Sequence, residues 1–302
     1  MKNLIIITGP TACGKTATAI NLAKMLNGEI ISADSMQIYK NMDIGTAKPT
    51  ISERNGVIHH LIDIIEPTEN FSVAIFQKLA NQAIIEVYNR GKIPILVGGT
   101  GFYINAVAYK NALAPKESTK LQEHLQKNAT SQELYEYLQK VDPLSASRIH
   151  PNNVQRVSSA LAYYESTGKP ISHHKPQKEP RYNNRFIILT RDRQSLYNAI
   201  NKRVEIMFAK GLPQEVKYLL ENGVTSNTTA MQAIGYKEML PYLNDKCTLA
   251  ETILTIQQNS RRYAKRQLTW FRHQLTGYCL NTDKTTSEEM AFACLKVINN
   301  FR

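Results

Sequence analysis

The junction between an apolar stretch and a glycine-rich loop near the start of the chain constrains the fold more than any other feature. The loop, GPTACGKT at residues 9–16, matches the pattern GxxxxGK[ST], follows a strand-like segment and precedes a helix-like one. Its glycines let backbone N–H groups turn inward around a phosphate, Lys15 adds a mobile charge, and the Thr16 hydroxyl can hold Mg²⁺. A diphosphate and a triphosphate fit such a loop equally well, so the motif by itself establishes neither hydrolysis nor kinase activity.

Apolar segments alternate with amphipathic ones, the pattern of a parallel sheet covered by helices. Buried strands are predicted where Ile and Val run too continuously to be half-exposed, at residues 4–8, 29–33, 61–65, 93–97 and 185–190. Helices are predicted at 19–26, 71–90, 194–210, 214–221 and 248–273. The prediction is therefore an α/β fold, a P-loop NTPase-like parallel sheet flanked by helices, with a helical insertion domain.

The insertion is indicated by a change of composition in the middle of the chain. Strand signals fade over residues 113–184, and leucines at 121, 125, 134 and 138 anchor a polar, helical segment. Prolines, lysines and a His-His pair over residues 167–180 predict an exposed connector. We expect residues 1–112 to form the first part of the core, 113–184 the insertion, and 185–302 the return to the core with basic C-terminal helices.

The net positive charge is concentrated in residues 111–302, outside the part of the chain that contains the phosphate loop. Residues 1–110 carry 10 basic and 8 acidic side chains, whereas residues 111–302 carry 27 and 17. Clustered Lys and Arg favour a polyanionic partner because they displace counterions from phosphates, although a solvated charged surface gives the same composition.

Composition also narrows the cellular setting. The sequence has no apolar run of about 18 residues, the length that spans a membrane. Its four cysteines lie far apart and form no CxxC pair, which argues against a zinc site and against a disulfide framework. We expect a cytoplasmic monomer that binds no membrane.

Two further segments place polar residues at the edge of the sheet where such folds bind ligands. Asp34 follows the second predicted strand, where a carboxylate can ligate Mg²⁺, orient Lys15 or act as a general base, and where an Asx turn is the competing interpretation. Thr100 follows the strand that ends in Gly98-Gly99, where it offers a hydroxyl to a ligand or caps the next helix. His59 and His60 are adjacent on a predicted strand and point to opposite faces, so we expect structural roles for both.

Several motifs in order resemble the bacterial tRNA dimethylallyltransferase (tRNA isopentenyltransferase) family. These are GPTACGKT at 9–16, DSMQIY at 34–39, MDIGTAKP at 42–49, HHLID at 59–63, GGT at 98–100, GYK at 235–237 and YAKRQLTWFR at 263–272. The resemblance covers nearly the whole chain. It implies transfer of the dimethylallyl group of dimethylallyl diphosphate to the exocyclic amine of the adenine on the 3′ side of the tRNA anticodon, with release of diphosphate.

The resemblance also implies roles for individual residues. Asp34 would take the amine proton, Thr100 would lie beside the reacting centre, and Arg203 would be the second cation on the diphosphate. Thr16 would hold the Mg²⁺ cofactor. The residues that would bind the diphosphate are Gly9, Thr11, Ala12, Cys13, Gly14, Lys15 and Thr16.

A basic helix and the helical insertion would contact the anticodon stem-loop. On a helical wheel the cations of residues 258–273 fall on one side and the apolar residues on the other, which suits binding to phosphates. The residues expected to contact tRNA are Asp34, Ser35, Met36, Gln37, Gln155, Arg156, Gly235, Tyr236, Lys237, Arg261, Arg262, Lys265 and Arg266. One departure is visible: the family's usual Arg-x-x-Arg-Ala-Leu-Glu reads here RVSSALA at 156–162, so Ser159 and Ala162 replace an Arg and a Glu, which weakens the expected contact from that helix.

Other functions remain open at this level. An adenine-nucleotide prenyltransferase is the main competing activity, and a small-molecule P-loop kinase is another. A non-enzymatic RNA-binding protein with a decayed P-loop is disfavoured by the intact Lys15, Thr16, Asp34 and Thr100. The basic helix separates these alternatives, because an enzyme that acts on small molecules has little need of it.

Overall fold

The computed structural model describes residues 1–110, 112, 117–173 and 179–300. The chain divides into two compact units: Met1–Ala108 with Pro180–Arg302, and Tyr109–Glu179. Part of the predicted connector, residues 174–178, and the first residues of the predicted insertion, 113–116, lie outside the described residues.

The larger unit is built on a parallel sheet, which confirms the predicted α/β fold. Its described strands follow the order β3-β2-β4-β1-β5-β6 and all pair in parallel. The strands are β1 Asn3–Thr8, β2 Gly28–Ser32, β3 His59–His60, β4 Ile93–Gly98, β5 Asn183–Thr190 and β6 Tyr278–Asn281. Because β1 lies between β4 and β5 and is buried from Leu4 to Thr8, the strand that leads into the phosphate loop is central to the core.

Helices cover the two faces of the sheet. In the larger unit they are α1 Lys15–Leu26, α2 Ile51–Arg54, α3 Val73–Asn89, α4 Gly101–Ala108, α9 Arg193–Ala209, α10 Leu212–Glu221, α11 Met239–Leu243, α12 Leu249–Gln274 and α13 Ser287–Asn299. One apolar cluster packs α1 and α13 against the strands, and a second joins the 36–44 segment to α9, α10 and α12. The predicted helices at 71–90, 194–210, 214–221 and 248–273 correspond to α3, α9, α10 and α12.

The smaller unit is helical, as the sequence predicts. It contains α5 Glu117–Asn128, α6 Ser131–Val141, α7 Pro143–Ala146 and α8 Val154–Thr167. Leu134 and Leu138 are central to its core, and Leu125 packs against them. Asp142 caps α7 through Ser145 and also accepts a hydrogen bond from the Ser172 N–H. At the two ends of the unit the Lys110 N–H donates to Glu179 O at 2.8 Å. The unit spans Tyr109–Glu179, so it begins and ends a few residues before the expected 113 and 184.

One predicted strand is wrong. Residues 61–65 do not form a strand; β3 covers His59–His60 instead, and Ile65 makes an isolated bridge with Tyr39. Leu61 and Asp63 adopt φ of 63° and 56°, a left-handed conformation that is incompatible with a continuous strand. Within the described residues no helix combines the length and apolarity that a membrane crossing requires.

Candidate active site

The phosphate loop adopts the strained geometry that a cradle requires. Gly9 and Gly14 have φ of 151° and 83°, and Ala12 has φ of 62° between them. A Cβ on Gly9 would lie 2.2 Å from Leu189 O, so a side chain is excluded there. Lys15 begins α1 and its Nζ donates to Pro10 O at 2.7 Å, which folds the ammonium back over the loop. The loop is therefore shaped as the motif predicts.

Two cations lie close to this loop in a desolvated environment. Burial lowers the pKa of Lys15, the nearby thiol of Cys13 opposes this, and the Arg203 guanidinium adds to the lowering. Burial also lowers the pKa of Arg203, while the Asp34 carboxylate opposes it. Two neighbouring cations that lose hydration and repel each other are best satisfied by an anion of more than one charge, as a diphosphate is.

Arg203 is held with one donor left over. Its Nη1 donates to Thr11 Oγ1 at 3.1 Å and its Nη2 to Thr46 O at 3.2 Å. Its Nε is buried and finds no hydrogen-bond partner in the part of the chain that the structure describes. A buried N–H without an acceptor is costly, so this guanidinium fits a phosphate oxygen supplied by a ligand.

Asp34 combines the two roles that the sequence left as alternatives. Its Oδ1 accepts hydrogen bonds from the N–H groups of Met36 at 2.9 Å and Gln37 at 3.4 Å, which is an Asx turn. Its Oδ2 has no hydrogen-bond partner among the described residues. One oxygen thus fixes the carboxylate, and the other is left to accept a proton.

Thr100 lies beside this turn. Its Oγ1 accepts the Ser35 N–H at 3.2 Å and lies 3.4 Å from Ser35 Oγ, so its hydroxyl is bonded to the Asp34 turn rather than to a backbone N–H of α4. The preceding strand end approaches β2 closely, because a Cβ on Gly98 would lie 2.1 Å from Ala33 O. Asp34 and Thr100 lie at the same edge of the sheet, as predicted, and they are close because β2 and β4 are neighbours.

Two cavities meet at Asp34. The large cavity, of about 300 Å³, is lined by the polar residues Thr11, Asp34 and Arg203 and by an apolar group that a short hydrocarbon chain would fit. That apolar group is Ile200, Val204, Met207 and Ile256. The small cavity, of about 40 Å³, is lined by Lys15, Thr16 and Asp34 among others. Asp34 therefore faces both the phosphate loop and the larger space.

The residues near Thr16 suit Mg²⁺ but do not form a complete protein cage. Thr16 shares the small cavity with the Asp34 carboxylate, and both offer oxygen ligands. The described residues include no group of three or more His, Cys, Asp or Glu placed to hold a metal ion. Mg²⁺ commonly takes one or two protein oxygens and completes its shell with water and substrate phosphates, so the site fits that ion when a diphosphate is bound.

Two residues of α12 belong to the site although the sequence did not single them out. Tyr263 lines the large cavity, and burial together with the Asp34 carboxylate raises its pKa to about 12, while the side chains of Thr100 and Gln267 act in the opposite direction. Gln267 is buried and bonded to both the phosphate loop and the Gly99 carbonyl. Both residues lie in the YAKRQLTWFR motif at 263–272, but helical spacing places Tyr263 on the apolar side of α12 and gives Gln267 no distinct role.

The residues predicted to contact tRNA lie in several different environments. Ser35, Met36, Lys237 and Arg266 line the large cavity. Gln37 is engaged internally, since its Nε2 donates to Thr46 O at 3.3 Å.

The environment of Gly235 and Tyr236 differs from the expectation that both residues contact tRNA. Both are buried, and the Tyr236 hydroxyl donates to Glu215 Oε1 at 2.6 Å. Glu215 also accepts hydrogen bonds from the N–H groups of Asp43, Ile44 and Gly45. A contact between the Tyr236 side chain and tRNA is not supported, because that side chain anchors the 43–45 segment instead.

The basic side of α12 is confirmed as an exposed surface. Its exposed cations are Arg262, Lys265, Arg266 and Arg272. Arg261 differs because it is half-buried and donates to Asn201 Oδ1. In the smaller unit Gln155 and Arg156 are exposed in the first turn of α8, Ser159 is exposed, and Ala162 is fully buried.

Comparison with known proteins supplies the remaining observations. The family model described as IPP transferase matches residues 37–274. A tRNA dimethylallyltransferase of Acetivibrio thermocellus is 47% identical over 309 residues, which covers 100% of this chain and 97% of that protein. The solved tRNA delta(2)-isopentenylpyrophosphate transferase of Staphylococcus epidermidis is 42% identical with a TM-score of 0.76, covering 100% of both chains. A eukaryotic dimethylallyltransferase acting on tRNA is 31% identical with a TM-score of 0.86, covering 99% of this chain and 80% of that one.

Proposed function

The chain belongs to the IPP transferase family, and from this premise we propose that it is a tRNA dimethylallyltransferase. It transfers the dimethylallyl group of dimethylallyl diphosphate to the exocyclic amine of the adenine on the 3′ side of the tRNA anticodon. The observation that carries this proposal is the meeting of Asp34, Thr100 and the phosphate loop at one edge of the sheet, next to a cavity with an apolar wall.

In the proposed reaction a carbon–nitrogen bond forms as a carbon–oxygen bond breaks. The adenine amine attacks C1 of the dimethylallyl group, and the electron pair of the C1–O bond leaves with the diphosphate. The amine proton passes to Asp34 Oδ2, the oxygen that the Asx turn leaves unbonded. Lys15 and Arg203 stabilise the charge that develops on the leaving group, in a desolvated site where such interactions are strong.

The nucleic-acid substrate is supported by charge on α12. The exposed cations of that helix form a surface suited to phosphates, and Arg266 both contributes to it and lines the large cavity. The target adenine is stacked in the anticodon loop, so its extraction costs roughly a few kcal/mol, which phosphate contacts offset. An adenine-nucleotide prenyltransferase needs no such surface, and the family relatives named above do not favour that alternative.

The test is a transfer assay with labelled dimethylallyl diphosphate. Unmodified tRNA with adenine 3′ of the anticodon is compared with the same tRNA carrying guanine there, with AMP as acceptor, and with ATP as competitor of the donor. We expect label in the adenine tRNA alone. Label in AMP alone would reassign the enzyme to the nucleotide prenyltransferases, and no label in either acceptor would refute transfer of this group.

We also propose Mg²⁺ as the cofactor, held by Thr16 with the Asp34 carboxylate nearby. When bound, it supplies positive charge that stabilises the diphosphate. Inorganic diphosphate with MgCl₂ should raise the melting temperature by several degrees, because a ligand that binds the native state stabilises it by RT ln(1 + [L]/Kd). EDTA should remove most of this shift, and Thr16→Val should reduce it. An equal shift in EDTA would exclude a metal role in binding diphosphate.

Two broader expectations belong to the same proposal. We propose that the enzyme works in the cytoplasm, where its tRNA substrate is, and that it acts as a monomer. Analytical ultracentrifugation at the concentration used in the assay tests the second statement. A monomer gives the mass of one chain, and a dimer gives twice that mass.

A further inference from the structure

One buried amide joins two loops of the site. Gln267, on α12, is 6% exposed. Its Oε1 accepts the Thr11 N–H at 2.9 Å, and its Nε2 donates to Gly99 O at 2.9 Å. Both polar atoms of the side chain are therefore satisfied, one by the phosphate loop and the other by the residue that precedes Thr100.

These bonds continue on both sides toward the groups that act on substrate. Thr11 also accepts a hydrogen bond from Arg203 at 3.1 Å, so the phosphate-loop end reaches the cation assigned to the leaving group. Gly99 leads directly into Thr100, whose hydroxyl accepts the Ser35 N–H beside Asp34. The amide of Gln267 thus lies between the leaving-group side and the proton-accepting side of the site.

The Gln267 amide lies against the backbone at the Gly99 end. A Cβ on Gly99 would lie 2.4 Å from Gln267 Nε2, so the amide packs directly on backbone. A Glu would keep the bond to Thr11 but place an oxygen against Gly99 O, and a Met would fill similar volume with neither bond. Glutamine is the side chain of this size that donates and accepts at once.

We infer that Gln267 is a positioning residue that fixes the spacing between the diphosphate cradle and the Asp34–Thr100 pair. This inference rests on the proposed function. Transfer requires the amine, C1 and the leaving oxygen to be aligned, and a displacement of about 1 Å between the groups that hold them costs about 100-fold in rate. Gln267 acts through Thr11 and Gly99 and is not itself assigned a contact with the reacting atoms.

The experiment compares Gln267→Met and Gln267→Glu with a matched control on the same helix. Gln257 is also buried, at 8% exposure, but its Nε2 donates to Asn201 O on α9, so Gln257→Met reports the cost of losing a buried amide elsewhere in α12. For each variant we would measure kcat, the KM for tRNA, the Kd for inorganic diphosphate with MgCl₂, and the melting temperature.

We expect both Gln267 variants to lower kcat by about 10- to 100-fold and to weaken diphosphate binding several-fold, with the KM for tRNA within about twofold of wild type. Gln257→Met should lower the melting temperature with little change in kcat. Near-normal kcat and diphosphate affinity in both Gln267 variants would overturn the inference, as would losses equal to those of Gln257→Met at the same melting temperature.

A failure of the proposed function is distinguishable from a failure of this inference. If wild-type protein labels no tRNA, the proposed function fails, whereas the Kd for inorganic diphosphate still measures how Gln267 shapes the phosphate loop. If Gln267→Met does not fold, Gln267→Asn, which adds no charge and is too short to hold both bonds, decides the same question by the same binding measurement.

Discussion

At the scale of single residues, the site contains residues that use two polar groups for different purposes. Asp34 uses one oxygen for its turn, and in the proposed reaction its other oxygen accepts the proton. Thr11 donates its N–H to Gln267 and accepts at its hydroxyl from Arg203. In each residue one hydrogen bond fixes the position of the group, and a second polar atom makes the other interaction. A substitution that keeps the first bond therefore tests function without disturbing the structure.

Asp34→Asn is the sharpest such substitution. The Asn Oδ1 can accept the same two N–H groups, so the turn and the melting temperature should be retained, whereas an amide cannot take the amine proton. We expect kcat to fall by about 10²- to 10⁴-fold, with the Kd for tRNA unchanged within about twofold. Single-turnover transfer and a filter-binding assay measure the two quantities.

Asp34→Ala supplies the control for that experiment. It removes both the turn and the proton acceptor, so it should abolish transfer, while tRNA binding stays nearly intact because the α12 cations remain in place. If Asp34→Asn kept more than a tenth of wild-type activity, another group would have to accept the proton.

At the scale of elements, α12 presents different sides to different tasks. It begins with a capping box in which Thr248 and Glu251 satisfy each other's backbone N–H groups, and Ala264 and Phe271 pack into the core. Tyr263 and Gln267 face the site, and the cations that follow at helical spacing stay exposed. Arg262 and Lys265 lie on a different face of the helix from Tyr263 and Gln267. If the exposed cations bind tRNA as proposed, substitutions on that face can change RNA affinity without changing catalysis.

Neutralising the exposed cations should therefore affect tRNA affinity and leave catalysis intact. The double variant Arg262→Gln with Lys265→Gln should raise the KM for tRNA and reduce the slope of log K against log salt by about 0.7 to 0.9 for each phosphate that the variant no longer neutralises. The kcat at saturating tRNA should be nearly unchanged. Arg261 is left in place because it is bonded to Asn201.

The control for this prediction uses equally charged residues from other helices. Lys202→Gln with Lys217→Gln removes two exposed lysines, each of which lies near an acidic side chain, so the net charge changes by the same amount. Salt slopes that fall equally in both double variants would show that total charge, rather than the α12 surface, attracts tRNA.

At the scale of the whole molecule, the sheet separates the chemistry from a buried ionic network. The site lies at the carboxyl ends of β1, β2 and β4, whereas Glu29 lies near the start of β2 and is fully buried. It bonds His60 at 2.7 Å, Arg90 at 2.6 Å and Lys92 at 3.0 Å. Glu29 therefore ties β2 to β3, to the end of α3 and to the start of β4, far along the strand from the reacting groups.

This network predicts a pH-dependent contribution to stability. Burial raises the pKa of Glu29, but hydrogen bonds from Arg90, His60 and Lys92 outweigh it and lower the pKa from 4.5 to about 2. A lowered pKa stabilises the folded state above the unfolded value of 4.5, and that contribution is lost as pH falls from 4.5 toward 2. The shift corresponds to roughly 3 kcal/mol.

Urea unfolding of Glu29→Gln should show this dependence directly. The variant should be less stable than wild type at pH 7, and the difference in unfolding free energy should shrink as pH is lowered below 4.5. Glu221→Gln, an exposed carboxyl on α10, should show no comparable effect. A difference between Glu29→Gln and wild type that stayed constant from pH 7 to pH 3 would contradict the linkage.

The sequence by itself determined the features that repeat or are local. Continuous apolar runs identified β1, β2, β4 and β5, the loop motif identified the cradle, and helical spacing identified the cations of α12, because burial and hydrogen bonding within an element impose a period on its residues. Position after predicted strands placed Asp34 and Thr100 at the same edge of the sheet, and the observed strand order made β2 and β4 neighbours. Composition does not reveal the left-handed backbone that prevents residues 61–65 from forming a strand. The predicted elements include neither β6 nor α13.

Only the tertiary structure decided which distant residues share hydrogen bonds. Gln267 bonds a residue 256 positions away, and Arg203 bonds Thr11 across 192 positions. Tyr236 is expected from the sequence to contact tRNA, but it is buried and its hydroxyl is bonded to Glu215. Such pairings leave no periodic or local trace, because they depend on where the folded elements pack and on which buried polar atoms must then find partners.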